Sequence, residues 1–346
     1  MRSSKVLRVG ILHDSLTDTK VDKRNPHGFV QVGATVQAVK DAIKQLEWEP
    51  VLIPVGHNLI SQIHQAQVDI VFNIATGIGN KNQQANVVAM LELAKIPFTG
   101  SGLRTHILGI HKEVAKYLFK SAGIPTPAFQ VFITGQEELD PKLRFPLIVK
   151  PSSEGSSMGI TENSVVQNKT QLYEQINHLL TVFNEPVLVE EFIEGREFTI
   201  GILGNQKTIP LPIEEIIFQN KFYSYEVKER DAVKIECPAR LRPELALKML
   251  EAAQKAYRLL DCAGYARIDL RLDAEENFYF LEINTLPGIQ PGYSEIPRMA
   301  EVLGLDFPAL VRCLIELGLE RFGAQKLLSR IGRKSLDYLA KRKSIA

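Results

Sequence analysis

The sequence predicts a protein of mixed α/β and α+β class, in which a parallel α/β unit at the N-terminus is followed by two sheet-rich units. Three observations lead there. A chain of 346 residues that is 45% hydrophobic can bury a large core, and at ordinary domain sizes it divides into two or three compact units. Residues 5–100 alternate short apolar runs with helical periods, the signature of a parallel sheet with crossover helices. Beyond residue 140, strand-like runs cluster around single helices.

In chain order, Val6 to Leu12 reads as a strand, and Val32 to Leu46 as a helix with apolar positions at Val32, Val36, Val39, Ile43 and Leu46. A strand over Val51 to Val55, a short helix, a strand over Val68 to Phe72, a helix over Gln84 to Leu93 and a strand over Ile96 to Phe98 complete the first unit. Gly100-Ser-Gly102 opens a helix expected to run to about Ala122, where Gly123-Ile-Pro-Thr-Pro ends it. Strands over Phe145 to Lys150 and Val187 to Phe192 flank a helix near Gln171 to Phe183. The final unit has strands over Phe198 to Leu203, Ala266 to Leu272 and Phe278 to Ile283 around a helix over Glu244 to Leu260. The expected domains are 1–106, 107–195 and 196–320, with a tail at 321–346. That tail carries Arg321, Lys326, Arg330, Arg333, Lys334, Lys341, Arg342 and Lys343 against one acid, Asp337. It is expected as a basic helix facing water, a helix for a partner or membrane surface being the alternative.

Composition excludes several function classes. The net charge of +1 rests on 41 basic and 40 acidic residues, so no global field marks nucleic acid as a partner. Cys237, Cys262 and Cys313 are widely spaced, which argues against a disulfide framework or zinc site. No run reaches transmembrane length and the N-terminus has no signal-peptide apolar region, so a cytoplasmic location is expected.

Chemistry gathers in three places. Arg267-Ile-Asp269 and Phe280-Leu-Glu282-Ile-Asn284 lie on adjacent strands, where period-2 alternation puts Arg267 with Asp269 and Glu282 with Asn284 on common faces. Two carboxylates and an amide are the hard-oxygen set that holds Mg²⁺ while leaving positions open for phosphates. A ladder of surface ion pairs is the other reading, but these acids sit within apolar runs where unpaired burial is costly. Second, Lys150 ends an apolar strand and Pro-Ser-Ser-Glu154-Gly155-Ser156-Ser157-Met158-Gly159 follows, a small-residue loop able to close its N–H groups around phosphate oxygens. Third, Glu190-Glu191-Phe192-Ile193-Glu194-Gly195-Arg196-Glu197 is a strand exit with carboxylates at both ends, either an adenine and ribose edge or a charged hinge.

Together and in this order the three motifs resemble the ATP-grasp ligases, and within them the D-alanine:D-alanine ligases. Cys237-Pro-Ala, Leu-Glu282-x-Asn284-Thr-x-Pro-Gly288 and Ile96-Pro-Phe-Thr-Gly100-Ser-Gly102 leading into Lys112 match as well. The resemblance implies an ATP-grasp fold preceded by a Rossmann-like domain, ATP with Mg²⁺ or Mn²⁺, small amino-acid-like substrates and a homodimer. By it, Lys112, Lys150, Glu154, Ser156 and Ser157 face the nucleotide phosphates, Glu190, Glu191 and Ile193 border the adenine, and Glu197 reaches the ribose. Asp269, Glu282 and Asn284 are the implied metal ligands. Arg267, the Gly288 backbone N–H, Ser294 and Lys228, the last within a lid over residues 219–231, are the implied catalytic groups. The implied reaction converts a carboxylate to an acyl-phosphate with release of ADP, after which an amine displaces phosphate.

The substrate motifs depart from the family. Asn73-Ile-Ala-Thr-Gly77-Ile-Gly79-Asn-Lys-Asn-Gln-Gln84 stands where members carry a histidine and two acids, and Asp14-Ser-Leu-Thr-Asp18 is the acidic stretch nearest a missing glutamate. Glu229 and Arg230 follow the lid lysine where the D-alanine enzymes have tyrosine, and Gln290-Pro-Gly-Tyr-Ser294-Glu295 is one residue longer than the usual loop. Activation of a carboxylate is therefore expected to persist while acid and amine differ. A larger acceptor and a non-catalytic nucleotide-binding module are the alternatives.

Overall fold

The computed structural model describes residues 6–14, 28–77, 83–155, 158–218 and 233–341. The N-terminal unit is β1 (Arg8–His13), α1 (Gly28–Gln45), β2 (Glu49–Pro54), α2 (Leu59–Ala66), β3 (Ile70–Asn73) and α3 (Gln83–Leu93). Its sheet has the order β2-β1-β3, all parallel. Near-continuous apolar runs are what a parallel sheet covered on both faces requires. The strand expected over Ile96 to Phe98 is a single bridge between Phe98 and Val71. Lys95 and Gly100 turn the chain through left-handed backbone on either side, so only one residue can pair.

The helix expected from Gly100 to Ala122 is two, α4 (Leu103–Ile110) and α5 (Lys112–Ser121), broken at an extended His111. The break lets the Lys112 N–H donate to Ser152 O at 3.1 Å, outside the helical ladder. It thus ties the start of α5 to the phosphate-cradle loop.

The second sheet comprises β4 (Phe129–Phe132), β5 (Leu147–Pro151), β6 (Val165–Val166) and β7 (Val187–Glu191) in the antiparallel order β4-β7-β5-β6. The helix α6 (Lys169–Phe183) is capped by Asn168, whose Oδ1 accepts from Gln171 N. Its Leu172, Ile176, Leu179 and Phe183 pack on Val149, Val187 and Val189.

The third sheet holds β8 (Arg196–Gly204), β9 (Thr208–Pro210), β10 (Glu214–Phe218), β11 (Val233–Glu236), β12 (Gly264–Leu272) and β13 (Phe278–Asn284) in the order β11-β10-β8-β12-β13, with β9 paired to β8. The helix α7 (Pro243–Leu259) covers one face through Leu245, Met249, Ala253 and Ala256.

Four helices follow: α8 (Glu295–Val302), α9 (Phe307–Arg321), α10 (Gln325–Ile331) and α11 (Lys334–Lys341). The sequence reading did not identify the first two. Leu310, Leu314 and Leu317 of α9 share one core with Val9, Ile11 and Ile43, joining the C-terminal chain to the first unit. The tail does not simply face water, as expected. Leu328 and Leu339 are buried in that core, and Arg330 pairs with Asp69 and Arg333 with Glu320. Two leucines that periodically meet a core outweigh a charged composition. Among the described residues no helix is long and apolar enough to cross a membrane.

Candidate active site

A cleft separates β5 and β7, the central strands of the second sheet, from β8, β12 and β13 of the third. Its lining includes the apolar side chains Ile148, Met158, Phe192, Ile193, Ile216 and Leu281, and an ionic end with Lys112, Arg267, Asp269, Glu282 and Glu295.

Strand pairing builds the ionic end. Register puts Arg267 opposite Asn284 and Asp269 opposite Glu282, with a bulge just after Asp269. Arg267 donates from Nε to Asp269 Oδ1 at 2.9 Å and from Nη2 to Oδ2 at 2.8 Å, and from Nη1 to Glu295 Oε2 at 2.9 Å. Thr199 Oγ1 donates to Asp269 Oδ1 at 2.7 Å. Asn284 Nδ2 bridges the acids, 2.9 Å from Asp269 Oδ2 and 3.2 Å from Glu282 Oε1. The opposed carboxylates split their titration. Burial, with Glu282 alongside, raises the Asp269 carboxyl in spite of Arg267. Burial would raise Glu282 too, but the charges of Lys112, Lys150 and Arg267 hold it down at about 2.

Among the described residues no three His, Cys, Asp or Glu side chains cluster as a metal cage. Two facing carboxylates and one amide are instead a partial oxygen set, suited to a Mg²⁺ or Mn²⁺ ion that completes its shell with phosphate oxygens and water. The chemistry of Asp269, Glu282 and Asn284 thus fits the expected ion.

A second cluster is set into the cleft wall. Glu190 on β7 receives Lys150 Nζ at 2.5 Å on Oε1 and Lys116 Nζ at 2.6 Å on Oε2, and Lys116 is fully buried. Lys116 also donates to Thr126 Oγ1 at 2.8 Å, and that hydroxyl donates to Phe280 O at 2.8 Å, so α5 is tied to β13. Burial lowers the Lys116 ammonium to about 8, with Glu190 opposing the shift. Burial alone would raise Glu190, but the two ammonium groups keep its carboxyl below the ordinary value.

The cleft brings together most of the residues singled out in the sequence. Lys112, Lys150, Glu154, Glu190, Glu191, Ile193, Glu197, Arg267, Asp269 and Glu282 all line it. Glu197 faces Arg271 across the β8/β12 pairing, and burial pushes its carboxyl up to about 7 against the pull of that guanidinium. The surroundings of three further positions are specific. The Glu190 carboxylate, expected at an adenine edge, has both oxygens held by lysines. Ser294 Oγ accepts from Gln290 N at 3.0 Å within its own loop, and neither Ser294 nor Gly288 is among the residues lining the cleft. Asp14 accepts from Thr76 N, Thr76 Oγ1 and Gly77 N, so it braces the loop after β3. Ser156, Ser157 and Lys228 lie outside the described residues.

Sequence reasoning missed Lys116, Thr199 and Glu295. The first two had a signal: Lys116 is four residues after Lys112 on one helix face, and Thr199 shares a strand face with Glu197. Glu295 had none beyond following Ser294.

The sheets, the cleft between them and its ionic end define an ATP-grasp ligase. Comparison with known proteins agrees and narrows this. The family described as "D-ala D-ala ligase C-terminus" matches residues 118–316. The D-alanine–D-alanine ligase of Carboxydothermus hydrogenoformans is 35% identical over 302 residues, 84% of this chain and 94% of that one. An uncharacterized protein of Sinorhizobium fredii, y4sG, is 34% identical over 264 residues, 75% of this chain and 77% of that one. The crystal structure of the Bacillus anthracis D-alanine–D-alanine ligase complexed with ATP aligns with a TM-score of 0.72 at 25% identity, covering 93% of this chain and 100% of that one. The chain belongs to the D-alanine–D-alanine ligase family.

Proposed function

We propose that the protein is an ATP-dependent carboxylate–amine ligase that forms a dipeptide-like amide through an acyl-phosphate, releasing ADP and phosphate. The observation that carries this reading is the opposition of Asp269 and Glu282 across β12 and β13, with Lys112 and Arg267 beside them in the cleft.

The chemistry needs activation because a free carboxylate is a poor acyl donor. The donor carboxylate attacks the γ-phosphorus of ATP, and ADP leaves with the electron pair of the broken bond. The amine then attacks the acyl carbon and phosphate departs. Lys112 and Lys150 offset the charge of the triphosphate, which otherwise repels an incoming carboxylate. Arg267, held in one plane by three directed bonds, stabilises the oxygen that becomes anionic in the tetrahedral intermediate. Ile193 and the other apolar lining side chains flank the adenine, and Glu197 meets the ribose hydroxyls. Asp269, Glu282 and Asn284 would hold a Mg²⁺ or Mn²⁺ ion, which would supply Lewis-acid polarisation of the phosphoryl oxygens.

Incubating the protein with ATP, Mg²⁺ and paired amino acids of both stereochemistries, and recording phosphate release with product masses, tests the reading. A condensed mass matched one-to-one by phosphate is the expected result. ATP binding without turnover for any pair would remove the small-substrate ligase reading.

A further inference from the structure

Glu295 is the first residue of α8 and lines the ionic end of the cleft. Its Oε2 accepts from Arg267 Nη1, while Arg267 Nε and Nη2 both donate to Asp269. Every nitrogen of that guanidinium is therefore directed at one of the protein's own carboxylates. The side chains of Arg267 and Glu295 are only 16% and 13% exposed, reachable from the cleft but poorly screened by water. Asp269, Glu282 and Glu295 place three acids around this one guanidinium. The Asp269 and Glu282 carboxylates are the pair that fits a divalent cation, which leaves Arg267 and Glu295 as a self-neutralised couple beside it.

The helix behind this couple points the same way. Ser294 caps α8 without a side-chain hydrogen bond, and the acid in the first turn is Glu295 itself. A helix N-terminus and an arginine are the two devices with which a protein grips a substrate carboxylate. Here the arginine already meets Glu295, which opens the helix.

We propose that Glu295 is a specificity-determining residue of the acceptor subsite, disfavouring amines that carry a free carboxylate beside the amino group relative to those in which it is absent or masked as an amide. This rests on the ligase reading above. A free amino acid brought to Arg267 must displace Glu295 or set its own carboxylate against it in a poorly solvated place, which is discrimination by repulsion. A masked acceptor brings no negative charge, and its amide N–H groups give Glu295 something to accept from.

The experiment has two arms. In the first, the unaltered enzyme is given ATP, Mg²⁺, hydroxylamine and a panel of amino acids, hydroxy acids and short-chain acids as donors. The hydroxylamine nitrogen bonds the acyl carbon, phosphate leaves with the C–O electron pair, the nitrogen's proton passes to water, and a coloured hydroxamate reports acyl-phosphate formation whatever the acceptor preference. In the second, the donor so found is paired with alanine and alaninamide of each stereochemistry, in the unaltered enzyme and in Glu295→Gln and Glu295→Leu. The expected result is a kcat/KM for the amide at least about tenfold above that for the free amino acid, with both substitutions narrowing the ratio through a lower KM for the amino acid. Hydroxamate formation together with a preference for the free amino acid, or a ratio that neither substitution moves, would overturn the proposal and leave the ligase reading intact. No hydroxamate from any donor would overturn both. The preference of the unaltered enzyme decides even where a variant does not fold.

Discussion

Replacing Glu190 with glutamine isolates the energetics of the buried cluster in the cleft wall. In the native chain the carboxylate answers two ammonium groups, and its side chain is 2% exposed against 0% for Lys116 and 6% for Lys150. Glutamine keeps the shape and removes the charge, so two lysines are left facing each other without the carboxylate that contacts both, Glu282 being the more distant acid that remains. Breaking a buried pair in this way costs about 3–5 kcal/mol at neutral pH. Lys116→Met is the contrasting change. It leaves a one-to-one Lys150–Glu190 pair and an apolar side chain in a buried slot, so its cost is near that of a lost hydrogen bond, about 1 kcal/mol. The pH dependence follows from the lysine. Its ammonium is lowered in the folded protein to about 8 from an ordinary 10.5, so between those values the unfolded chain binds more protons and native stability rises with pH. Losing Glu190 lowers that value further. The penalty of Glu190→Gln is therefore fully present only below that lowered value and shrinks as the pH rises from it to about 8. Urea unfolding of the three proteins at pH 7 and pH 9.5 measures this. A Glu190→Gln cost within about 1 kcal/mol of Lys116→Met at pH 7, against the separation expected from burial of like charges, or a larger cost at pH 9.5 than at pH 7, would refute the reasoning.

Arg267→Ala is expected to lower kcat by about 100- to 1000-fold while the Kd for ATP, read by calorimetry, changes far less; an equal loss in both would make Arg267 a nucleotide ligand. Glu282→Gln removes one of the two opposed carboxylates and should weaken Mn²⁺ binding in the presence of ATP by about tenfold or more, which electron paramagnetic resonance titration reads directly. Unchanged Mn²⁺ affinity would take Glu282 out of the metal set. Leu339→Ala empties a site that is 1% exposed and should cost about 2–5 kcal/mol; a cost under about 0.5 kcal/mol, typical of a surface change, would return the C-terminal segment to the solvent-facing tail its composition suggests.

How much of this was legible depends on which interactions are local. Alternation along β12 and β13 was enough to put Arg267, Asp269, Glu282 and Asn284 together, because a two-residue period and an antiparallel pairing leave little freedom. The Lys150 strand end and its small-residue loop were legible for the same reason. The partner of Lys150 was not, since Glu190 comes from another strand and its second cation, Lys116, from a helix. The break at His111 was also hidden: nothing in the local sequence ends a helix there, and its cause is the bond from Lys112 N to Ser152 O, 40 residues away in sequence. The C-terminal helices show the reverse error, in which charge composition obscured Leu328 and Leu339. Glu295 entered the site through the fold of a lengthened loop, which no periodicity encodes.

The central claim is that a carboxylate is activated as an acyl-phosphate in this cleft. The most direct measurement supplies the donor with both carboxylate oxygens as ¹⁸O and analyses the phosphate released with the amide product. One labelled oxygen in each phosphate is the predicted result, because the bridging oxygen leaves with phosphorus when the amine attacks. Product formation with unlabelled phosphate would contradict the account.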